Sequence, residues 1–133
     1  MKQMTTKGFT LIELMITVAI LGILLTVAVP QYGAYVQNSS RTDATAALLR
    51  MAAQQEQFVL RNNAGSYTTD VSLIGGEDTE RGYYRLSVKS ASATGFELQA
   101  DAVLTGPQAN DTGCTTLNIT NANVKTPPEC WVR

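Results

Sequence analysis

Residues 7–29, KGFTLIELMITVAILGILLTVAV, begin with a basic side chain and continue as an almost uncharged run. From Phe9 onward this run has 21 residues and contains one charge, Glu13. A helix of that length, rising about 1.5 Å per residue, spans about 30 Å, the thickness of a bilayer's hydrocarbon core. Because Lys2 and Lys7 precede the run, the positive-inside rule keeps that end cytoplasmic and exports the remainder. The segment therefore predicts a membrane-spanning helix.

Three interpretations of this segment compete. A cleaved secretory signal fits poorly, since the apolar run is long and is followed by Val29, Pro30 and Gln31 rather than a small-residue cleavage site. A plain anchor explains the length but not Glu13, because an ionised carboxylate costs up to about 2.5–3.5 kcal/mol at a helix centre and less near an interface. Acids inside membranes are by default functional and have a partner. The third interpretation is one that supplies such a partner.

The composition limits the function classes. The chain has 133 residues, enough for one ordinary domain, with a net charge of −1 and no histidine. Serine–histidine and cysteine–histidine nucleophiles and imidazole metal sites are thereby excluded. Cys114 and Cys130 alone cannot complete a four-ligand zinc site, and Glu77 and Asp78 are interpreted as solvated loop carboxylates. We therefore expect no enzyme, no catalytic residue, no metal and no cofactor.

The chain beyond the apolar run continues with helical periodicity. Residues 32–61 are amphipathic, and Asn62–Gly65 (NNAG) is a stop signal of the left-handed cap type. Phe9 to about Arg61 is thus predicted as one interrupted helix, kinked or locally melted at Pro30, with an end of the helix at Pro30 as the alternative. We expect Met51 and Phe58 in the core. They belong to a stripe with spacings of three and four: Ala44, Ala47, Leu48, Met51, Gln55, Phe58 and Val59.

The composition changes after Gly65, and residues 66–133 predict a β-sheet head. Residues 83–89 and 96–100 alternate apolar and polar side chains and are joined by a short connection, which predicts a hairpin. A third strand is marked by Leu117 and Ile119, and Val124 marks a fourth element. Alternation is typical of an antiparallel sheet with one wet face. The helical stripe is the candidate cover for the other face, giving an α+β fold. The loop of residues 66–76 is expected to be anchored by Tyr67, Val71, Leu73 and Ile74.

The two cysteines close a loop of 17 residues, counting both ends. A head of about 70 residues has a marginal core, and a disulfide of this loop length adds about 3 kcal/mol in the chain-entropy model. Since the head is exported, a disulfide between Cys114 and Cys130 is expected, with two free thiols as the alternative.

The octapeptide KGFTLIEL, Lys7 to Leu14, resembles the class III signal of type IV prepilins. The resemblance implies a leader of residues 1–8, cleavage between Gly8 and Phe9, and N-methylation of Phe9. It makes Glu13 the residue that pairs with a neighbouring subunit's amino terminus and sets the register. It further implies the type IV pilin fold, with an apolar, protruding helix half over residues 9–30 and an amphipathic half over 31–65. Gly22 and Pro30 both have family counterparts near the kink.

The head also resembles one branch of this family, the PilE-type minor pilins, including the ComP-like subfamily. The motifs that carry the resemblance are Tyr67-Thr68, Tyr83-Tyr84, Gln108–Asp111 and Cys130-Trp131. The cysteines match the family's disulfide loop, the D-region, here residues 114–130. Thr115 departs from the expected pattern, which has a glycine after the first cysteine, and this leaves the turn of the loop open.

The predicted function is that of a structural subunit of a type IV pilus, a minor one, supporting pilus assembly, twitching motility or adhesion. The resemblance implies other pilins, a prepilin peptidase with N-methyltransferase activity and an inner-membrane assembly platform as partners. It places the chain in the bacterial inner membrane with a periplasmic head, and then in the extracellular pilus.

Two alternatives stay open. One is a type II secretion pseudopilin, which shares the amino-terminal signal. The other is a DNA-binding pilin for natural transformation. The latter is weakened by residues 31–133, which hold 8 basic and 10 acidic residues. Its candidate DNA contacts are Arg81, Arg85, Lys89, Lys125 and Arg133.

Overall fold

The computed structural model describes residues 8–131. Contacts between residues divide the chain into two units, one ending at Ala34 and the other beginning at Tyr35. The elements, in chain order, are helix α1 (Leu11–Asn62), a 3-10 turn (Val71–Leu73), strands β1 (Tyr84–Ala91) and β2 (Phe96–Ala102), a 3-10 turn (Pro107–Asn110), strands β3 (Thr116–Thr120) and β4 (Lys125–Thr126), and a 3-10 turn (Pro128–Cys130).

Both ends of α1 have local causes. At its start, the Glu13 amide donates to Thr10 Oγ1 at 3.3 Å, so Thr10 caps the first turn, in which Glu13 is also favourable for the helix dipole. At its end, Asn63 has a φ of 47°, the left-handed conformation that terminates many helices. The predicted stop signal is confirmed, with Asn62 as the last helical residue.

Pro30 lies inside α1, and the helix continues through it. Neither an end of the helix nor a melted turn occurs at this position, contrary to the predicted interruption. Proline fixes φ near −65°, which suits a helix, so the penalty is the lost amide donor and the ring's crowding of the preceding turn. The kink at Pro30 and the contribution of Gly22 to it stay predictions.

The sheet is antiparallel with the strand order β1-β2-β3-β4. Leu86 pairs with Ala100 and Leu98 with Ile119, so alternate side chains of the three longer strands share one face. The predicted hairpin and third strand are confirmed, although β1 begins one residue later and extends to Ala91 through a bulge between Val88 and Ser90. The fourth element is a two-residue strand directly after Val124.

The core of the second unit lies between the sheet and the predicted stripe of α1. The stripe is buried from Ala44 to Gln55, with Met51 only 1% exposed, and it meets the apolar face of the sheet. Phe58 was expected in this core but is only half-buried, because it lies a turn beyond the last fully buried position. The buried sheet residues include Tyr84, Leu86, Phe96, Leu98, Ala100, Leu117 and Ile119.

The segment after α1 is held by apolar side chains and one buried amide, and the predicted anchors Tyr67 and Val71 pack partly buried against the core. Ile74 is fully buried as predicted, whereas Leu73 is 56% exposed and does not anchor the loop, because it lies in the short 3-10 turn with its side chain outward. Gln55 Nε2 donates to the Thr68 carbonyl at 2.7 Å, and the Thr68 amide donates to Gln55 Oε1 at 2.9 Å. The Gln55 amide therefore pairs with the backbone as a neighbouring strand would.

Candidate functional site

The predicted processing site lies at the start of the described residues. Gly8 and Phe9 are exposed and precede α1, and Phe9 is 86% exposed. Lys7 and the rest of the expected leader, residues 1–7, lie outside the described residues. The bond between Gly8 and Phe9 is therefore outside regular secondary structure.

Glu13 is the charged group of the apolar run. It lies in the first turn of α1 and is exposed in the single chain. Within residues 8–131, no ion pair or hydrogen bond holds its carboxylate. Its backbone carbonyl accepts a hydrogen bond from Thr17 Oγ1. Since no group of residues 8–131 pairs with the carboxylate, a group of another chain can do so.

The apolar side chains around Glu13 also lack a cover among the residues that the structure describes. Every residue of α1 from Leu11 to Ala34 is exposed, including the large apolar side chains that point in all directions around the helix. Among the described elements, α1 is long and apolar enough to cross a membrane, and none of its most hydropathic window is buried. Exposed apolar surface on this scale marks a membrane or protein interaction site. Lipid or other helices must cover it.

The disulfide loop forms as predicted. Cys114 and Cys130 are bonded, with their Cα atoms 5.6 Å apart, and both are buried, so the alternative of two free thiols is wrong. The turn that Thr115 had left open is made by Gly113, whose φ of 87° is the left-handed conformation that glycine adopts without strain. The glycine thus precedes the first cysteine instead of following it. Thr115 accepts a hydrogen bond from the Ala102 amide at 2.7 Å.

The candidate DNA contacts do not gather on one strand. Arg85 and Lys89 lie on edge strand β1, where Arg85 is 3.8 Å from Asp78 and Lys89 is 2.8 Å from Glu97. Each positive charge is therefore offset by a carboxylate. This leaves β1 without a net positive stripe, and charge alone does not define a nucleic-acid surface there.

The other two candidate DNA contacts that the structure describes, Lys125 and Arg81, have different surroundings. Lys125 lies on β4, at the opposite edge of the sheet from β1, and its Nζ is 5.3 Å from the Trp131 ring centroid. Arg81 lies in the turn before β1, where its backbone amide donates to Asp43 at 3.1 Å. Within the described residues, neither side chain forms an ion pair. Arg133 lies outside them.

Thr10, next to the predicted processing site, has a role in capping α1 that was not predicted from the sequence. Its cap on α1 was readable as the pattern Thr-x-x-Glu at the start of an apolar run, residues 10–13. Glu13 therefore lies in the capped first turn of α1 and is also the charged residue of the apolar run.

Two families match the chain over adjacent segments. Residues 4–29 match the prokaryotic N-terminal methylation motif, and residues 30–118 match the family described as type IV minor pilin ComP, DNA uptake sequence receptor. The chain therefore belongs to the type IV pilins and, within them, to the family of the minor pilin ComP.

Individual relatives support the assignment of the chain to the type IV pilins. A fimbrial protein of Pseudomonas aeruginosa is 29% identical over 94% of this chain and 90% of its own length. The fimbrial protein EcpC of Eikenella corrodens is 37% identical over 80% of this chain and 69% of its own length. Among solved structures, a type IV pilin from Shewanella oneidensis aligns with a TM-score of 0.52 and 27% identity, over 73% of this chain and 99% of that one. Pilins of this family assemble with other pilins.

Proposed function

We propose that this chain is a minor structural subunit of a type IV pilus that polymerises through α1 and supports pilus assembly, twitching motility or adhesion. The observation that carries the proposal is one carboxylate, Glu13, which has no partner within residues 8–131 and is surrounded by exposed apolar side chains. A bundle of pilin helices covers those side chains. The chain acts by polymerising and not by catalysis.

The register of that bundle comes from charge. Removal of residues 1–8 exposes an ammonium group on Phe9, which stays cationic after N-methylation. In a low-dielectric bundle, this cation beside a neighbour's Glu13 offsets much of the cost of burying either charge. Apolar helices alone slide along each other with little change in energy, whereas an ion pair fixes one axial position.

Polymerisation through α1 also implies which proteins the chain interacts with and where it lies in the cell. A prepilin peptidase cleaves after Gly8 and methylates Phe9, an interpretation supported by the match of residues 4–29 to the methylation motif. Before assembly, α1 spans the inner membrane with the head in the periplasm. The assembly platform then extracts the subunit into the extracellular filament.

The role of Glu13 is tested by Glu13→Ala and Glu13→Gln, expressed in place of the native protein. Both variants remove the charge, so we expect far less of the subunit in sheared filaments by immunoblot, with normal amounts in the membrane. Glu77→Gln, which neutralises an exposed loop carboxylate, is the matched control and should match wild type. Normal incorporation of both Glu13 variants would refute the pairing.

Minor status is tested separately by immunogold labelling of sheared filaments. We expect sparse or terminal labelling. Dense labelling along the shaft would make the chain a major subunit and would leave the role of Glu13 intact.

DNA binding is the second candidate, favoured by the family match to a DNA uptake sequence receptor. The pair of Lys125 and Trp131 supports it, because a cation beside an aromatic ring suits both phosphate contact and base stacking. Arg81, whose side chain makes no ion pair within residues 8–131, adds a second cation.

Gel shifts of the full chain in detergent micelles with double-stranded DNA test this candidate. Binding that weakens with salt, and is lost in Lys125→Glu and reduced in Arg81→Glu, would support it. Lys89→Glu is the control, because Glu97 already offsets that charge. If wild type shows no salt-dependent shift, DNA binding is excluded and the structural role stands.

A further inference from the structure

A buried polar cluster joins α1 to the loop ahead of the disulfide. We call its four members, Arg41, Tyr84, Gln108 and Asp111, the polar latch. Gln108 and Tyr84 are fully buried, Asp111 is 3% exposed and the Arg41 side chain 21%. Buried polar and charged groups are costly unless they are paired, so the geometry of the cluster is informative.

The strongest contact of the latch is the ion pair between Arg41 and Asp111. Arg41 Nε donates to Asp111 Oδ2 at 2.6 Å and Arg41 Nη2 donates to Oδ1, so both carboxylate oxygens are engaged by one guanidinium. Bidentate pairs of this kind fix orientation as well as adding energy. The hydrogen bonds that Arg41 donates to Asp111 also raise the pKa of Arg41. The two residues are 70 positions apart in the chain, so the pair links α1 to a distant loop.

Gln108 and Tyr84 extend this link to the disulfide. Gln108 Nε2 lies within hydrogen-bond distance of three acceptors, Tyr84 Oη at 3.0 Å, Asp111 Oδ2 at 3.1 Å and the Gln37 carbonyl at 3.4 Å, which share its two hydrogens. Gln108 Oε1 is buried without a partner among the described residues. Tyr84 Oη in turn donates to the Cys114 carbonyl at 2.8 Å. The latch therefore reaches from two positions on α1 to the backbone of a disulfide cysteine.

Among the described residues, no other hydrogen bond and no covalent bond joins this loop to α1. The backbone hydrogen bonds donated within residues 105–114 are accepted within residues 103–111, such as Asp111 to Gln108 at 3.0 Å and Cys114 to Asp111 at 2.9 Å. The disulfide joins Cys114 to Cys130, and neither cysteine lies on α1. The covalent bridge thus ties the loop to the carboxyl-terminal segment, while the latch ties it to the helix.

We propose that the polar latch, and not the disulfide, determines where residues 105–113 lie on α1. This segment, the latched loop, keeps its position when the bridge is absent and leaves α1 when Asp111 is replaced by an uncharged residue. Loss of the Asp111 charge acts twice, because it removes the pair and leaves the Arg41 guanidinium beside an uncharged group. The latch is therefore a conformational lock separate from the covalent one.

Hydrogen exchange of the full chain in detergent micelles tests the proposal, read at the peptide spanning the latched loop. We compare Asp111→Asn with a bridge-free chain carrying Cys114→Ala and Cys130→Ala. Asp78→Asn is the matched control, because it neutralises a carboxylate whose ion pair is exposed. The peptide covering β1 and β2 reports whether each variant keeps its fold.

We expect exchange of the latched loop to be at least about tenfold faster in Asp111→Asn and within about threefold of wild type in the other two variants, with β1 and β2 unchanged. Wild-type exchange in Asp111→Asn overturns the proposal, as does equal acceleration in the bridge-free chain. If Asp111→Asn also loses protection in β1 and β2, the variant Arg41→Lys distinguishes a loss of the latch from a loss of the fold. Lysine keeps the positive charge but cannot bind both carboxylate oxygens as the guanidinium does. Faster exchange confined to the latched loop in Arg41→Lys supports the latch, and exchange at the wild-type rate refutes it.

Discussion

At the scale of single residues, Gln55 carries a role usually played by a strand. Its buried amide satisfies both the amide and the carbonyl of Thr68. Gln55→Ala leaves those two groups without partners, and we expect the free energy of unfolding to fall by about 1–3 kcal/mol.

Urea unfolding of the full chain in detergent micelles measures this loss. Gln57→Ala is the matched control, since Gln57 lies half a turn away on the exposed face and should change stability by less than about 0.5 kcal/mol. Equal stability of the two variants would show that the Gln55 amide contributes nothing.

Tyr84 predicts a pH dependence. Its pKa is raised above the ordinary value, chiefly by burial. The folded state therefore holds the phenol proton more tightly than the unfolded state, whose pKa is about 10. The stability that Tyr84 contributes is complete below about pH 10 and is lost as the pH rises through the raised folded pKa.

Tyr84→Phe isolates this effect. At neutral pH it loses the hydrogen bond to Cys114 and about 1 kcal/mol, whereas above pH 10 the gap from wild type should narrow. Urea unfolding at a series of pH values measures the gap, with Tyr83→Phe as the neighbouring control. A gap that stays constant through pH 11 would contradict the linkage.

Residue positions were more predictable than residue partners. The helical spacing identified the buried stripe, including Gln55, because burial on one face repeats with the helix period. The same spacing gives no role to Arg41, whereas the structure pairs Arg41 with Asp111. A partner 70 residues away depends on how the elements pack, which no local pattern contains.

At the scale of elements, the α1 stripe and the sheet stabilise each other by apolar burial. Met51 is at the centre of this contact, and Met51→Ala should lower the free energy of unfolding by about 2–5 kcal/mol through lost burial and an unfilled cavity. Leu60→Ala, at an 80% exposed helical position, is the control and should change it by less than about 0.5 kcal/mol. Thermal unfolding followed by circular dichroism checks both. Equal midpoints would mean that α1 does not form this core.

The elements were predictable where their patterns were long. The hairpin and third strand followed from alternation, and the helix end followed from Asn63 and its neighbours. The bulge of β1 and the bounds of β4 could not be predicted, because each depends on pairing with another strand. Phe58 was misplaced because the helical period does not show where the sheet stops covering the helix.

At the scale of the whole molecule, the chain has two kinds of surface, an exposed apolar helix and a folded head with its own core. The apolar residues up to Ala34 are exposed in the single chain and contain one charge within residues 9–34, so they need other helices or lipid. The unit from Tyr35 onward has its own core, a disulfide and ion pairs that offset most of its described cations. In the proposed filament, the helices of other pilins would cover the first surface.

The processing of the amino terminus is measured by mass spectrometry of the protein from sheared filaments. We expect that residues 1–8 are absent and that the chain begins at N-methylated Phe9, the cation proposed to pair with Glu13. Filament protein that keeps residues 1–8, or that begins at another residue, would contradict it.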